Sequence, residues 1–289
     1  MHDQADDLRQ LVRQRLKLSS AGREPGLVVL TGGKQGVGTT TVAVNLAITL
    51  CSQVRRTVLV DADFDRAGAS RLCQAADSPS LLDVLRGRLT LHEVMQPGPG
   101  GIQLLPGKQA CADLFDCSAL VQQKWVADLK DLGPQADLVV IDAGSARNAF
   151  VRRLWQVADA VLVVTLPEPA AIMDAYATIK VLLAGDASVR VHSVINRAPS
   201  AARAAEVHDR IHQACRRFLG VRTSALGQIA LDESLAASTA PLNPLFSLAA
   251  PESEAARCMG RLSEDLWKLL GPAGGEQAKR DPKRQARSA

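Results

Sequence analysis

Residues 27–40, LVVLTGGKQGVGTT, decide the fold. Leu27-Val28-Val29-Leu30-Thr31 is an unbroken apolar run, the pattern of a strand buried on both faces. It passes into Gly33-Lys34-Gln35-Gly36-Val37-Gly38-Thr39-Thr40, and a helix is expected from Thr40 to about Leu50. A glycine-rich turn between a buried strand and a helix suits one kind of ligand. Its glycines permit positive φ and close approach, and its backbone N–H groups with the helix N-terminus cradle an anion.

The same strand-then-helix unit recurs outward from this stretch. TVLVD (57–61), IQLLP (102–106), DLVVID (137–142), AVLVVTLP (160–167), VRVHSVIN (189–196) and a short run near 225–229 read as strands. Helices are expected at 80–87, 89–95, 117–131, 146–156, 170–184, 201–219 and 252–270. Strands alternating with helices predict an α/β fold, a mostly parallel doubly wound sheet with helices on both faces. Four segments follow. Residues 1–18 form an amphipathic helix with Leu8, Leu11, Val12 and Leu16 on one stripe; 19–26 (SSAGREPG) is a linker; 27–270 is the α/β domain; 271–289 is a Gly/Pro-rich, then basic tail expected to be disordered.

The 289 residues are 47% hydrophobic and 22% charged, which excludes wholesale disorder. Aromatics are 3%, so the core is aliphatic and no base-stacking surface is expected. The net charge of +4 equals that of residues 279–289, where Lys279, Arg280, Lys283, Arg284 and Arg287 face only Asp281. The body is therefore neutral, and no specific nucleic-acid partner is expected. The six cysteines (51, 73, 111, 117, 215, 258) form no CxxC pair, so they read as free thiols in a reducing cytoplasm. No leader-like segment is expected, and no apolar run approaches the roughly 18–20 residues of a membrane span.

The loop fits the general phosphate-loop pattern GxxxxGK[ST] in its glycines, Gly33 and Gly38, and in Thr40, where a hydroxyl would ligand Mg²⁺. It departs at Thr39, where the pattern has Lys. Loss of that charged donor is worth roughly 1.5–3 kcal/mol. Asp61-Ala62-Asp63 and Asp142 stand at the carboxyl ends of two strands, where ligands of open α/β sheets sit. A hydrophobic strand ending in Asp is the expected place of a second Mg²⁺ carboxylate. These carboxylates also read as caps of the next segment, and Asn196 as a turn former.

GGKQGVGTTTVAVNLA (32–47) resembles the variant phosphate loop of the MinD/ParA superfamily, KGGxGK[ST], with Gln35 in place of a Gly and Thr39 in place of the second Lys. The GVGTTT stretch also resembles the CpaE/TadZ branch. The resemblance implies ATP and Mg²⁺ as cofactors and an ATP-dependent homodimer. It implies nucleotide contacts from Gly33, Lys34, Gln35, Gly36, Val37, Gly38, Thr39, Thr40 and Thr41, with Asn196 and Arg197 at the adenine position. Lys34 would reach the nucleotide of the partner protomer, and Asp63 would position the attacking water. Thr40, Asp61 and Asp142 would hold Mg²⁺, Asp61 through water. After the DxD, the chain has Asp65 and Gly68 where the superfamily often has Gly and Asn.

DQADDLR (3–9) resembles the N-terminal DQAxxLR motif of the FlhG/FleN/YlxH family, and TLPEPAAIMDAYATIK (165–180) its TPEPxxxxDAYxxIK. This implies a weak ATPase that acts as a switch controlling flagellar number or placement. Asp3, Gln4, Ala5, Leu8 and Arg9 would dock on an FlhF-type GTPase of the signal-recognition-particle class. The family's membrane-binding C-terminal helix matches Met259, Leu262, Leu266, Trp267, Leu269 and Leu270, followed by basic residues. That composition suits a peripheral contact at the inner face of the plasma membrane, and equally a helix covering the sheet. Two further readings stay open: a nucleotide-binding scaffold without hydrolysis, because of Thr39, and a CpaE/TadZ-like polar localiser of pili.

Overall fold

The computed structural model describes residues 24–75, 78–109, 119–145, 148–185, 189–232 and 244–270. The segment with Asp3, Gln4, Ala5, Leu8 and Arg9 and the basic tail lie outside the described residues.

One eight-stranded sheet organises the chain, in the order β3-β4-β2-β5-β1-β6-β7-β8. β1 (Gly26–Gly32) is flanked by parallel β5 (Leu138–Asp142) and β6 (Ala160–Thr165). β2 (Thr57–Asp61) and β4 (Gln103–Leu105) extend one wing, β7 (Val191–Ala198) and β8 (Ser224–Ala230) the other. The antiparallel pair that β3 (Gln96–Pro97) makes with β4 was not expected from sequence. Proline lacks a donor and is tolerated at such an edge.

The helices are α1 (Thr39–Ser52), α2 (Gly68–Leu72), α3 (Leu81–Leu85), α4 (Leu91–Val94), α5 (Ala119–Lys130), α6 (Ala149–Val157), α7 (Pro169–Gly185), α8 (Ala201–Leu219), α9 (Phe246–Ala249) and α10 (Glu254–Leu270). Each central strand is apolar on both sides because each side meets a helical layer. Val28 and Leu30 pack with Leu46 and Leu50 of α1 and with Met259, Leu262 and Leu266 of α10. Leu27 and Val29 face the other core, with Trp125, Phe150, Trp155 and Ile179. The doubly wound expectation is borne out. The short α2 and α9 have no periodic signal to reveal them.

Three consequences of this packing bear on function. Register pairs Asp61 with Asp142 across β2 and β5, and Leu30 with Asp142 across β1 and β5. Both carboxylates therefore stand where β1 enters the glycine loop. The face of α10 that would meet a lipid surface is covered by the sheet, with Met259, Leu262, Leu266 and Leu270 buried. Among the described residues no helix is long and apolar enough to cross a membrane. At the opposite pole, a Cβ on Gly26 would lie 3.1 Å from the carbonyl oxygen of Leu270, so the start of β1 touches the end of α10.

Candidate functional site

The loop after β1 takes its shape from glycines. Gly36 (φ 86°) and Gly38 (φ 90°) occupy the left-handed region that side chains disfavour. A Cβ on Gly38 would stand 2.3 Å from Nδ2 of Asn196. That amide donates to the Val37 carbonyl at 2.8 Å, and Oδ1 of Asn196 accepts from Arg197 N–H at 3.0 Å. Asn196 thus ties the end of β7 to the loop, while Arg197 is exposed at φ 52°. Among the described residues no side chain caps α1, and its first turn holds no acidic residue. The amide groups at such a helix start suit an anion.

Each loop residue has a definite setting. Gly33 lies against the backbone of α7, where a Cβ would meet Ala175 N at 2.5 Å. The Lys34 ammonium stands 4.0 Å from Asp174 on α7. Gln35 Oε1 accepts a hydrogen bond from Arg66. Thr39 is buried, its hydroxyl 2.5 Å from where a Gly32 Cβ would be, so it brings no charge to the loop. The Thr41 carbonyl accepts from Asn45 Nδ2 at 2.8 Å.

Three carboxylates converge under this loop. Asp61 is wholly buried; Oδ2 accepts from Ser70 N–H at 2.7 Å and from the Ser70 hydroxyl at 2.6 Å. Its Oδ1 accepts from Asp63 N–H at 3.3 Å. Asp61 therefore pins α2 as well as facing the site. Asp142 is also wholly buried, with Oδ1 accepting from Gly144 N–H at 3.1 Å. Its Oδ2 has no hydrogen-bond partner among the described residues. Asp63 rests over Gly144, where a Cβ would be 2.3 Å from the carboxylate. The space above Gly144 thus belongs to Asp63.

Burial pushes the Asp142 carboxyl well above the usual range, and Asp61 and Asp63 push it further, while Thr40 and Gly144 partly offset them. Burial raises Asp61 despite the Ser70 hydrogen bonds, and raises Asp63 together with Asp65. Like charges out of water are favourable only beside a cation or a proton. The orphaned Oδ2 of Asp142, on a carboxyl that the Thr40 hydroxyl also reaches, fits a divalent cation. Among the described residues no cluster of three or more His, Cys, Asp or Glu stands close enough to hold a metal alone. Mg²⁺ characteristically takes one or two protein groups and completes its shell with water and phosphate oxygens.

The matches with known proteins agree with this geometry. The AAA domain family matches residues 27–184. The antiactivator FleN of Pseudomonas aeruginosa is 30% identical over 245 residues, covering 84% of this chain and 87% of FleN. The chain belongs to the FlhG/FleN/YlxH family of the MinD/ParA superfamily. A second FlhG-family relative, the flagellum site-determining protein YlxH of Helicobacter pylori, is 29% identical over 154 residues, 53% of this chain and 52% of YlxH. The septum site-determining protein MinD of Pyrococcus horikoshii, solved with Mg-ADP, matches with a TM-score of 0.67 at 22% identity, covering 86% of this chain and 98% of that one. The fold is thus the MinD-like phosphate-loop fold.

In this FlhG-family chain the loop, Thr40, Asp61, Asp63, Asp142 and Asn196 come together at one end of the sheet. Ser70, Arg66 and Asp174, which sequence reading had not placed in the site, contact it directly. Only the spacing of Arg66 and Ser70 after the DxD could have drawn attention to them.

Proposed function

We propose that this chain is a Mg-ATP-binding switch of MinD type that controls flagellar number or placement. The observation that carries the nucleotide reading is the buried, partnerless Oδ2 of Asp142 beside Thr40, beneath an uncapped helix N-terminus. The flagellar part is supported by the likeness to FleN and YlxH.

In this reading the amide groups of Gly33–Thr41 hold the phosphates. Thr40 and Asp142 hold Mg²⁺, with Asp61 behind them through water. Asp63, fixed over Gly144, orients a water molecule, and Lys34 reaches toward a second copy of the chain. Asn196 and Arg197 frame the adenine. Bound Mg²⁺ supplies charge neutralisation at the β- and γ-phosphates. ATP favours the homodimer and hydrolysis returns the monomer. The N-terminal segment, with Asp3, Gln4, Ala5, Leu8 and Arg9, stimulates an FlhF-type GTPase in the cytoplasm. Equilibrium binding of Mg-ATP and Mg-ADP, with mass read by light scattering in the same samples, tests the switch. Binding with mass doubling only in ATP is expected; a protein that binds neither nucleotide overturns the reading.

A second reading is a scaffold that binds nucleotide without turnover. The burial of Thr39 favours it, because the loop lacks its usual lysine. Thr39→Lys distinguishes the two: a large rise in hydrolysis identifies an intact but disarmed site.

A further inference from the structure

Two departures from the superfamily pattern, Gln35 and Thr39, flank the loop, and a third residue connects them. Arg66 lies in the turn after the DxD, where its own N–H and that of Ala67 donate to the Asp63 carbonyl at 3.1 and 2.6 Å. Its backbone is therefore fixed to the residue expected to face the reacting water. Its guanidinium donates to Gln35 Oε1 in the loop. Gln35 is neutral, so this contact positions the charge without cancelling it. Among the described residues Arg66 makes no close ion pair with a carboxylate, although its charge acts at longer range on Asp63, whereas Lys34 already stands beside Asp174. Among the described residues one of its five guanidinium N–H donors is used, and the planar fork suits phosphate oxygens.

We infer that Arg66 supplies the positive charge at the terminal phosphates that Thr39 does not, and that Gln35 is the seat that holds it over the loop. The inference rests on the nucleotide-binding reading above. A glycine at position 35 has no side chain to seat an arginine, and a lysine at position 39 makes that arginine redundant. The two departures are one exchange: the cation moves from the start of α1 to the turn before α2. The charge at the phosphates is then delivered here from a different strand end.

Calorimetric titration of wild type, Arg66→Ala, Gln35→Gly, Thr39→Lys and the Arg66→Ala/Thr39→Lys double variant tests it. Arg66→Ala is expected to weaken Mg-ATP binding about tenfold or more, and Mg-ADP binding less. Gln35→Gly should give an intermediate loss. Thr39→Lys should recover most of the affinity in the Arg66→Ala background and add less to wild type. Arg66 is exposed, so the nucleotide-free melting temperature should not move. Unchanged Mg-ATP affinity in Arg66→Ala overturns the inference alone, as does a loss that Thr39→Lys does not recover. A wild type that binds no nucleotide overturns both this inference and the reading beneath it.

Discussion

Asp63 and Gly144 are mutually dependent: the carboxylate of one occupies the place where a side chain of the other would begin, 2.3 Å from an ideal Cβ. Gly144 also has φ 57° and donates to Asp142 Oδ1. One glycine therefore joins the residue expected to orient water to the residue expected to hold the metal.

Gly144→Ala meets both a strained backbone and a steric conflict. The left-handed conformation alone costs about 1–2 kcal/mol for a non-glycine residue. A fall in melting temperature of about 2–8 °C is expected. In an Asp63→Ala background the same substitution should cost less, because the opposing carboxylate is gone. Equal costs in the two backgrounds would show that the contact has no energetic weight.

Asp142→Asn tests the buried carboxylate through pH. Its folded carboxyl titrates well above the ordinary range, chiefly because it is buried. Above that ordinary range the folded protein holds a proton that the unfolded chain releases. Stability of the nucleotide-free protein should therefore fall as pH rises from about 4 through neutrality. Asparagine needs no proton, so the variant should have a flatter profile and exceed wild type at the alkaline end. Mg-ATP should stabilise wild type and leave the variant almost unchanged. Urea unfolding across this range, with and without Mg-ATP, measures both effects.

His192 provides a test away from the site. It is buried on β7, and neither ring nitrogen has a hydrogen-bond partner among the described residues. Burial, with Arg190 and His208 nearby, pushes its pKa from 6.5 down to about 4. Here the unfolded chain binds the extra proton, so stability is lost as pH falls through this window. His192→Leu should flatten that acid limb, with a gain of about 1 kcal/mol or more at the acid end. Mg-ATP affinity should not change.

Gln4→Ala tests the partner arm. It should abolish stimulation of an FlhF-type GTPase while leaving Mg-ATP binding and the change of mass intact. A variant that still stimulates fully would show that Gln4 is not needed for the stimulation proposed above.

The parallel sheet was legible because its strands are apolar runs, with β1 ended by glycine and β2 and β5 by aspartate, and the register of Asp61 with Asp142 follows from those two ends. Thr40 and Asp142 were legible for the same reason: a fixed motif places them. Other roles depend on contacts between residues distant in sequence. Asn196 reads as a strand-end residue until its amide is seen on Val37, and Ser70 carries no signal of its grip on Asp61. Arg66 is an ordinary surface arginine in sequence; only the turn around Asp63 aims it at Gln35. The last helix has an apolar stripe that suits either a bilayer or a sheet, and packing alone assigns it to the sheet.

The contact of Gly26 with Leu270 has a mechanical meaning. Strand β1 rises from that contact toward the glycine loop, so residues 26 and 270 stand together at the opposite end of the strand from the site. They lie about 20 Å below the phosphate face, the length of a strand of this size. A partner that approaches the body beside residues 26 and 270 therefore meets it on the side away from the glycine loop. A short peptide bridging residues 26 and 270, with new ends opened in an exposed loop, should give a permuted chain of the same shape.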